Sequence, residues 1–173
     1  LESNTSSANN ITVKWDGAPA IFCGDDPSDG KFFVATKAVF NKTPKIYKTI
    51  KNIEDNESGG KAEKLKYALK HLSGIGSPKG TILQGDLMFT KGDVGVKVIG
   101  NEKCYTFQPN TILYAVPVNS GLGAQIAKAK IGIVWHTTYK GKDIKSMKGS
   151  FGKDITKKFK TVNSVWMDDA TYK

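Results

Sequence analysis

The sequence predicts an α+β fold in which antiparallel β-sheets carry one or two packed helices. Three observations predict it. Short apolar runs with two-residue alternation recur along the chain, parted by turns rich in Gly, Asp and Asn. Only two stretches, KAEKLKYALKHL and SGLGAQIAKAK, carry the spacing of an amphipathic helix. Many strands with few helices point to sheets packed by a minority of helix. With 173 residues, 39% of them hydrophobic and 24% charged, the chain is an ordinary globular composition with enough length for one core. The division expected is a flexible, Ser- and Asn-rich segment over 1–10 and a single domain over 11–173.

In chain order, ITVKW alternates, with Ile11, Val13 and Trp15 on one face and Thr12, Lys14 and Asp16 on the other. AIFCG reads as a strand, DDPSDG as a dense turn, and KFFVATKAVF as the returning strand. The basic stretch KTPKIYKTIKNIEDNESGG has no assignable period. In KAEKLKYALKHL, Ala62, Leu65, Leu69 and Leu72 share one helical face, and Gly74 can end it. GTILQGDLMF is a strand, VGVKVIGNEKCYTF a hairpin about Gly100-Asn101, and NTILYAVPV another apolar strand. SGLGAQIAKAK is a short helix capped by Ser120 or Gly121, and IGIVWHTTY a buried strand. The last thirty residues or so show no clear period.

Composition narrows the class. No apolar stretch approaches the roughly 18–20 residues that span a bilayer, and the first residues lack the basic start and apolar centre of a secretion signal. Cys23 and Cys104 are too few and too far apart for a disulfide framework or a zinc cluster, so two reduced thiols in a cytoplasm are expected. The first residue is not Met, so a fragment, processed form or trimmed chain is expected.

The formal net charge is +10, and all 26 basic residues are lysine. Lysine favours polyanions through counterion release but lacks the fork with which arginine reads guanine or grips phosphate. A lysine-rich surface that meets nucleic-acid backbone without reading sequence is the expectation, discounted for a lysine and asparagine bias typical of AT-rich coding.

One turn stands out. KWDGAP delivers Lys14 and Asp16 into a bend at Gly17 and Pro19, and a strand, an acidic turn and a second strand ending Thr36-Lys37 follow. Later come a strand with a carboxylate, LQGDLMF, and an aromatic strand, NTILYAV. In this order the pieces resemble the covalent nucleotidyltransferase superfamily, the ATP-dependent RNA and DNA ligases and capping enzymes. The KxDG turn and the Ser/Thr-Lys pair after the hairpin are closest to the RNA-ligase type. The whole phrase from Lys14 to Lys42 is also similar to ligase-like proteins of marine tailed phages. The resemblance covers about residues 11–118.

The resemblance implies a ligase-type adenylation domain with ATP and Mg2+ as cofactors and RNA or DNA ends as partners, in the cytoplasm of a bacterial host. It implies Lys14 as the nucleophile that forms lysyl-AMP. Asp16, Gly17, Lys37, Asp86 and Tyr114 would contact the nucleotide, Tyr114 by stacking on adenine with Phe107 in reserve, and Asp86 would also meet the metal. The chemistry suits these types: an amine attacks only when neutral, far below its usual pKa of about 10.4, and glycine lets the backbone pass close to the nucleotide. Asp86 stands where the superfamily more often has glutamate. The fourth-motif Glu-Gly or Asp-Gly and a fifth-motif lysine pair are missing, although TKKFK (Lys158, Lys160) has the flavour of the latter. Their absence gives a second reading from another class: a non-catalytic nucleic-acid-binding or virion-assembly module on a ligase-like fold. His71 is expected at a helix end, and His136 as a buried, satisfied histidine with a phosphate contact as its alternative.

Overall fold

The apolar runs on either side of DDPSDG pair as an antiparallel hairpin, Ala20–Asp25 (β1) with Phe32–Ala35 (β2). The hairpin belongs to a computed structural model that describes residues 15–152 and 154–170. The expected flexible segment 1–10, the alternating residues Ile11, Thr12 and Val13, and Lys14 lie outside the described residues. Thr81–Thr90 (β3) pairs with β1, Ala20 opposite Asp86, and along its other edge with Ile131–Lys140 (β7). The far edge of β7 is shared. Val165–Asp169 (β9) runs parallel to its first half and Lys148–Phe151 (β8) antiparallel to its second. A second, antiparallel sheet contains Gly95–Ile99 (β4), Glu102–Phe107 (β5) and Tyr114–Pro117 (β6). With the helices below, this is an α+β architecture, antiparallel except for β9.

Three α-helices occur among the described residues, Ile50–Asn56 (α1), Gly59–Leu72 (α2) and Gly121–Lys128 (α3). α2 is the helix of the expected apolar stripe. Its Ala62, Leu65, Ala68 and Leu72 join Ile21, Cys23, Leu83, Leu87 and Trp135 in one buried cluster. Neighbouring residues on the same strands face the other way, as strand alternation requires. Phe22, Phe33 and Ile82 form one cluster on that opposite face. Met88 and Val134 form another with Phe107, Val116, Ile126 and Trp166, where the second sheet and α3 pack. Between these two clusters, at the alternate positions of β3 that separate Ile82 from Met88, stand the polar residues Gln84 and Asp86.

Several expectations change. The run KFFVATKAVF leaves the strand at Ala35, because the Thr36 hydroxyl accepts the Ala38 N–H (3.3 Å) and starts a 3-10 turn over Lys37–Phe40. NTILYAVPV contributes only its second half to a strand. α2 passes through a 3-10 turn, Ser73–Ile75, and the left-handed glycine that ends it is Gly76 (φ 72°), not Gly74. α1 rises from the stretch without a period: the Thr49 hydroxyl accepts the Asn52 N–H (3.1 Å), an N-cap that holds a helix with one buried residue, Ile53. Ser120 caps α3, accepting the Gly123 N–H (2.9 Å). Both cysteines are free and buried; burial above all, and then Asp25, pushes the Cys23 thiol far up. No helix among the described residues is long and apolar enough to cross a membrane.

Candidate functional site

The turn that follows Lys14 is laid directly on β3. The Ala18 N–H donates to the Leu87 carbonyl, and the Leu87 N–H donates to the Pro19 carbonyl, each at 3.0 Å. Only glycine fits at position 17. A Cβ there would stand 2.8 Å from both the Leu87 carbonyl oxygen and Met88 Sδ, and 3.0 Å from Asp86 Cβ. The turn and the stretch of β3 that carries Asp86, far apart in sequence, are therefore in backbone contact.

Each side chain of the turn is tied to a different element. The Asp16 carboxylate accepts from Asn110 Nδ2 (3.2 Å) and Thr111 Oγ1 (3.4 Å), in the segment leading to β6. Its backbone N–H donates to Tyr114 Oη at 2.7 Å. The Trp15 indole N–H donates to Asp168 on β9 (3.0 Å), and its ring lies 5.0 Å from Tyr114 and 5.1 Å from Trp166. Tyr114 is thus held between Trp15 and Phe107 (5.5 Å), with its hydroxyl on the turn. Aromatic pairs at such spacings add about 0.5–1.5 kcal/mol beyond their buried area.

Across the larger sheet, Ala20, Asp86, Val134 and Asp168 stand side by side in register and so share one face. The Asp86 side chain is about a third exposed, at 35%. Its neighbour is His136, whose Nε2 stands 3.5 Å from Asp86 Oδ1. The placement depends on a β-bulge: Gln84 pairs with Thr137 but Gly85 with Trp135, which leaves His136 without a register partner on β3. Its Nδ1 lies 2.6 Å from Thr137 Oγ1. Just beyond, the Tyr139 hydroxyl donates to Gln84 Oε1 (2.5 Å), and burial raises its pKa.

Lys37 approaches from the hairpin side. A cleft of about 220 Å³ is lined by Pro19, Ala20, Ile21, Thr36, Lys37, Lys61 and Leu65. The end of the turn and the Thr36-Lys37 pair therefore share one wall. Lys37 is exposed and has no carboxylate partner among the described residues, whereas Lys61 pairs with Glu57 (3.3 Å).

The structure thus gathers Asp16, Gly17, Lys37, Asp86 and Tyr114 around one turn. Sequence reading missed His136 as a neighbour of Asp86, and it missed Asp168 and the Trp15 indole altogether. His136 is half-buried, and the bulge that aims it leaves no mark in an apolar–polar pattern. Among the described residues no group of three or more His, Cys, Asp or Glu side chains is arranged to hold a metal ion.

The chain belongs to DUF6267, a family of unknown function, whose family model matches residues 1–173. No curated protein and no solved structure matches it.

Proposed function

We propose that this DUF6267 chain is an ATP-dependent nucleotidyltransferase of RNA/DNA-ligase type, with a ligase-like adenylation fold, that forms lysyl-AMP on Lys14 and passes AMP to a nucleic-acid end. One observation carries the reading. Three stretches that resemble superfamily motifs converge: Gly17 packs on Asp86, while Pro19 and Ala20 share a cleft with Thr36 and Lys37. The polar strip between two apolar clusters, roofed on one side by the second sheet, suits a nucleotide with charged and apolar parts.

In the proposed chemistry Lys14, deprotonated, forms an N–P bond to the α-phosphorus of ATP. The bond from that phosphorus to the bridging oxygen breaks, pyrophosphate leaves, and the surplus amine proton passes to solvent. A terminal phosphate oxygen of the nucleic acid then forms a new P–O bond to the AMP phosphorus. The N–P bond breaks, and Lys14 recovers a proton. Lys37 offsets phosphate charge as a point cation. Asp16, engaged by Asn110 and Thr111, keeps the turn in shape, and Tyr114 holds it from the second sheet. A magnesium ion, when bound with the triphosphate, supplies charge neutralisation. Asp86 fits such an ion as a single accessible carboxylate, since magnesium is commonly held by one or two carboxylates plus substrate phosphates.

The test is the intact mass of the folded protein after incubation with ATP and magnesium, beside Lys14→Ala. An AMP adduct on the first and none on the second is expected. No adduct on the folded product of the complete gene overturns the enzyme reading and leaves the nucleic-acid-binding or virion-assembly module.

A further inference from the structure

A second cavity lies away from the turn. It occupies about 370 Å³ beside β9, between α3 and the segment 156–163. Its polar lining includes Gln125, Lys128, Lys160 and Asn163, and its apolar wall includes Phe159 and Val162. Among the described residues no Asp or Glu lines it and neither lysine has a carboxylate partner. A cavity of this size holds a ligand of roughly nucleotide dimensions, and two unneutralised ammonium groups with amide and hydroxyl donors suit a phosphate.

The backbone beside the cavity is anchored to neighbouring elements. The Lys160 N–H donates to the Ile75 carbonyl (3.0 Å), and its aliphatic chain lies over Gly76. The Lys130 N–H donates to the Ser164 carbonyl (2.7 Å), which brings a third lysine beside the segment. Positive charge accumulates here. His71, at the end of α2, has its pKa lowered first by burial and then by Lys70 and Lys130. One carboxylate is close: Asp169 accepts from the Thr156 hydroxyl (2.6 Å) and N–H (3.1 Å), and Thr156 is itself on the rim.

We infer that this groove is a phosphate-binding site of nucleotide size, in which Lys128 and Lys160 grip the phosphate and the Phe159–Val162 wall takes the apolar body of the ligand. It stands whether or not Lys14 is a nucleophile. The phosphate comes either from a single nucleic-acid strand or from a free nucleotide.

Three proteins separate these sources: the wild type, Lys128→Glu/Lys160→Glu, and a control of equal charge change, Lys97→Glu/Lys103→Glu, on exposed positions of β4 and β5. A fluorescently labelled single-stranded oligodeoxynucleotide is titrated by anisotropy at several salt concentrations, and AMP by calorimetry. The groove pair is expected to weaken one of the two ligands about tenfold or more, and the control less than about threefold. Loss for the oligonucleotide, with its log–log salt slope reduced by about 1.4 for two lost phosphate contacts, assigns the site to a strand. Loss for AMP assigns it to a free nucleotide. Equal effects of groove and control pairs on both ligands, or no effect, overturn the inference. If charge reversal prevents folding, Lys128→Gln/Lys160→Gln against Lys97→Gln/Lys103→Gln gives the same comparison, with thermal melting as the check on the fold.

Discussion

Gly17 is the residue on which the site turns, because it is where two distant parts of the chain touch without room for a methyl group. The contacts an added Cβ would meet include the Leu87 carbonyl, which is backbone and cannot rotate away. Gly17→Ala is therefore expected to lower stability by about 1–3 kcal/mol, the usual cost of overpacking. Gly60→Ala is the control: apart from its chain neighbours and its own helix backbone, nothing lies within 4 Å of a Cβ there. Position 60 lies in the first turn of α2, where alanine is the better helix former. Urea melts of the two variants read the difference directly, and a Gly17→Ala protein as stable as the control would mean that the turn does not sit on β3 as described.

At the scale of elements, the hairpin turn between β1 and β2 is closed by charge. Lys48 donates to Asp26 (2.8 Å) and Asp29 (2.7 Å). Burial works to raise the Asp26 pKa, but hydrogen bonds from Lys48 and Ser28 prevail and hold it below the ordinary carboxylate value. A carboxylate depressed on folding adds stability above its unfolded pKa, and that stability is lost as pH falls through the folded value. The melting temperature of the wild type should thus exceed that of Lys48→Met at neutral pH, and the gap should close below about pH 4. A gap that persists into acid would show that Lys48 acts through its aliphatic stem. Elements like this hairpin were legible because their signals are local: apolar runs around DDPSDG, the stripe of α2, Gly100-Asn101 between β4 and β5. α1 was not, since Ile53 alone of its residues is buried and its start rests on one threonine. Nor were β8 and β9. β8 is exposed throughout, and β9 is an edge strand whose Asp168 and Asp169 are spent on Trp15 and Thr156. Of the candidate site, the residues that share the turn could be picked by type and order. Their neighbours Asp168 and His136 could not, because pairing register is a property of the folded sheet.

For the molecule as a whole, the placement of the two thiols gives a readout of global integrity. Cys23 is fully buried between the sheet and α2, and Cys104 is buried in the second sheet. A thiol reacts as the thiolate, and a buried one must first be exposed. Labelling of Cys23 by a thiol reagent should accordingly be slow in the native protein and should accelerate in step with unfolding as urea rises. Fast labelling of native Cys23 would mean that α2 opens locally from the sheet.

The bulge in β7 has a consequence of its own. His136 occupies a supernumerary place: β3 skips it, β9 has reached Trp135 before it, and β8 begins at Thr137 after it. The weave of the sheet would close in register without it, since Trp135 and Thr137 already take opposite sides as consecutive strand residues do. An excision of His136 would keep Trp135 and Thr137 on opposite faces and would take away both the imidazole beside Asp86 and the carbonyl that accepts the Gly152 N–H (2.8 Å). What β3 leaves unpaired is thus the residue of β7 whose imidazole meets the carboxylate, and a side-chain change there spares the backbone that β8 leans on.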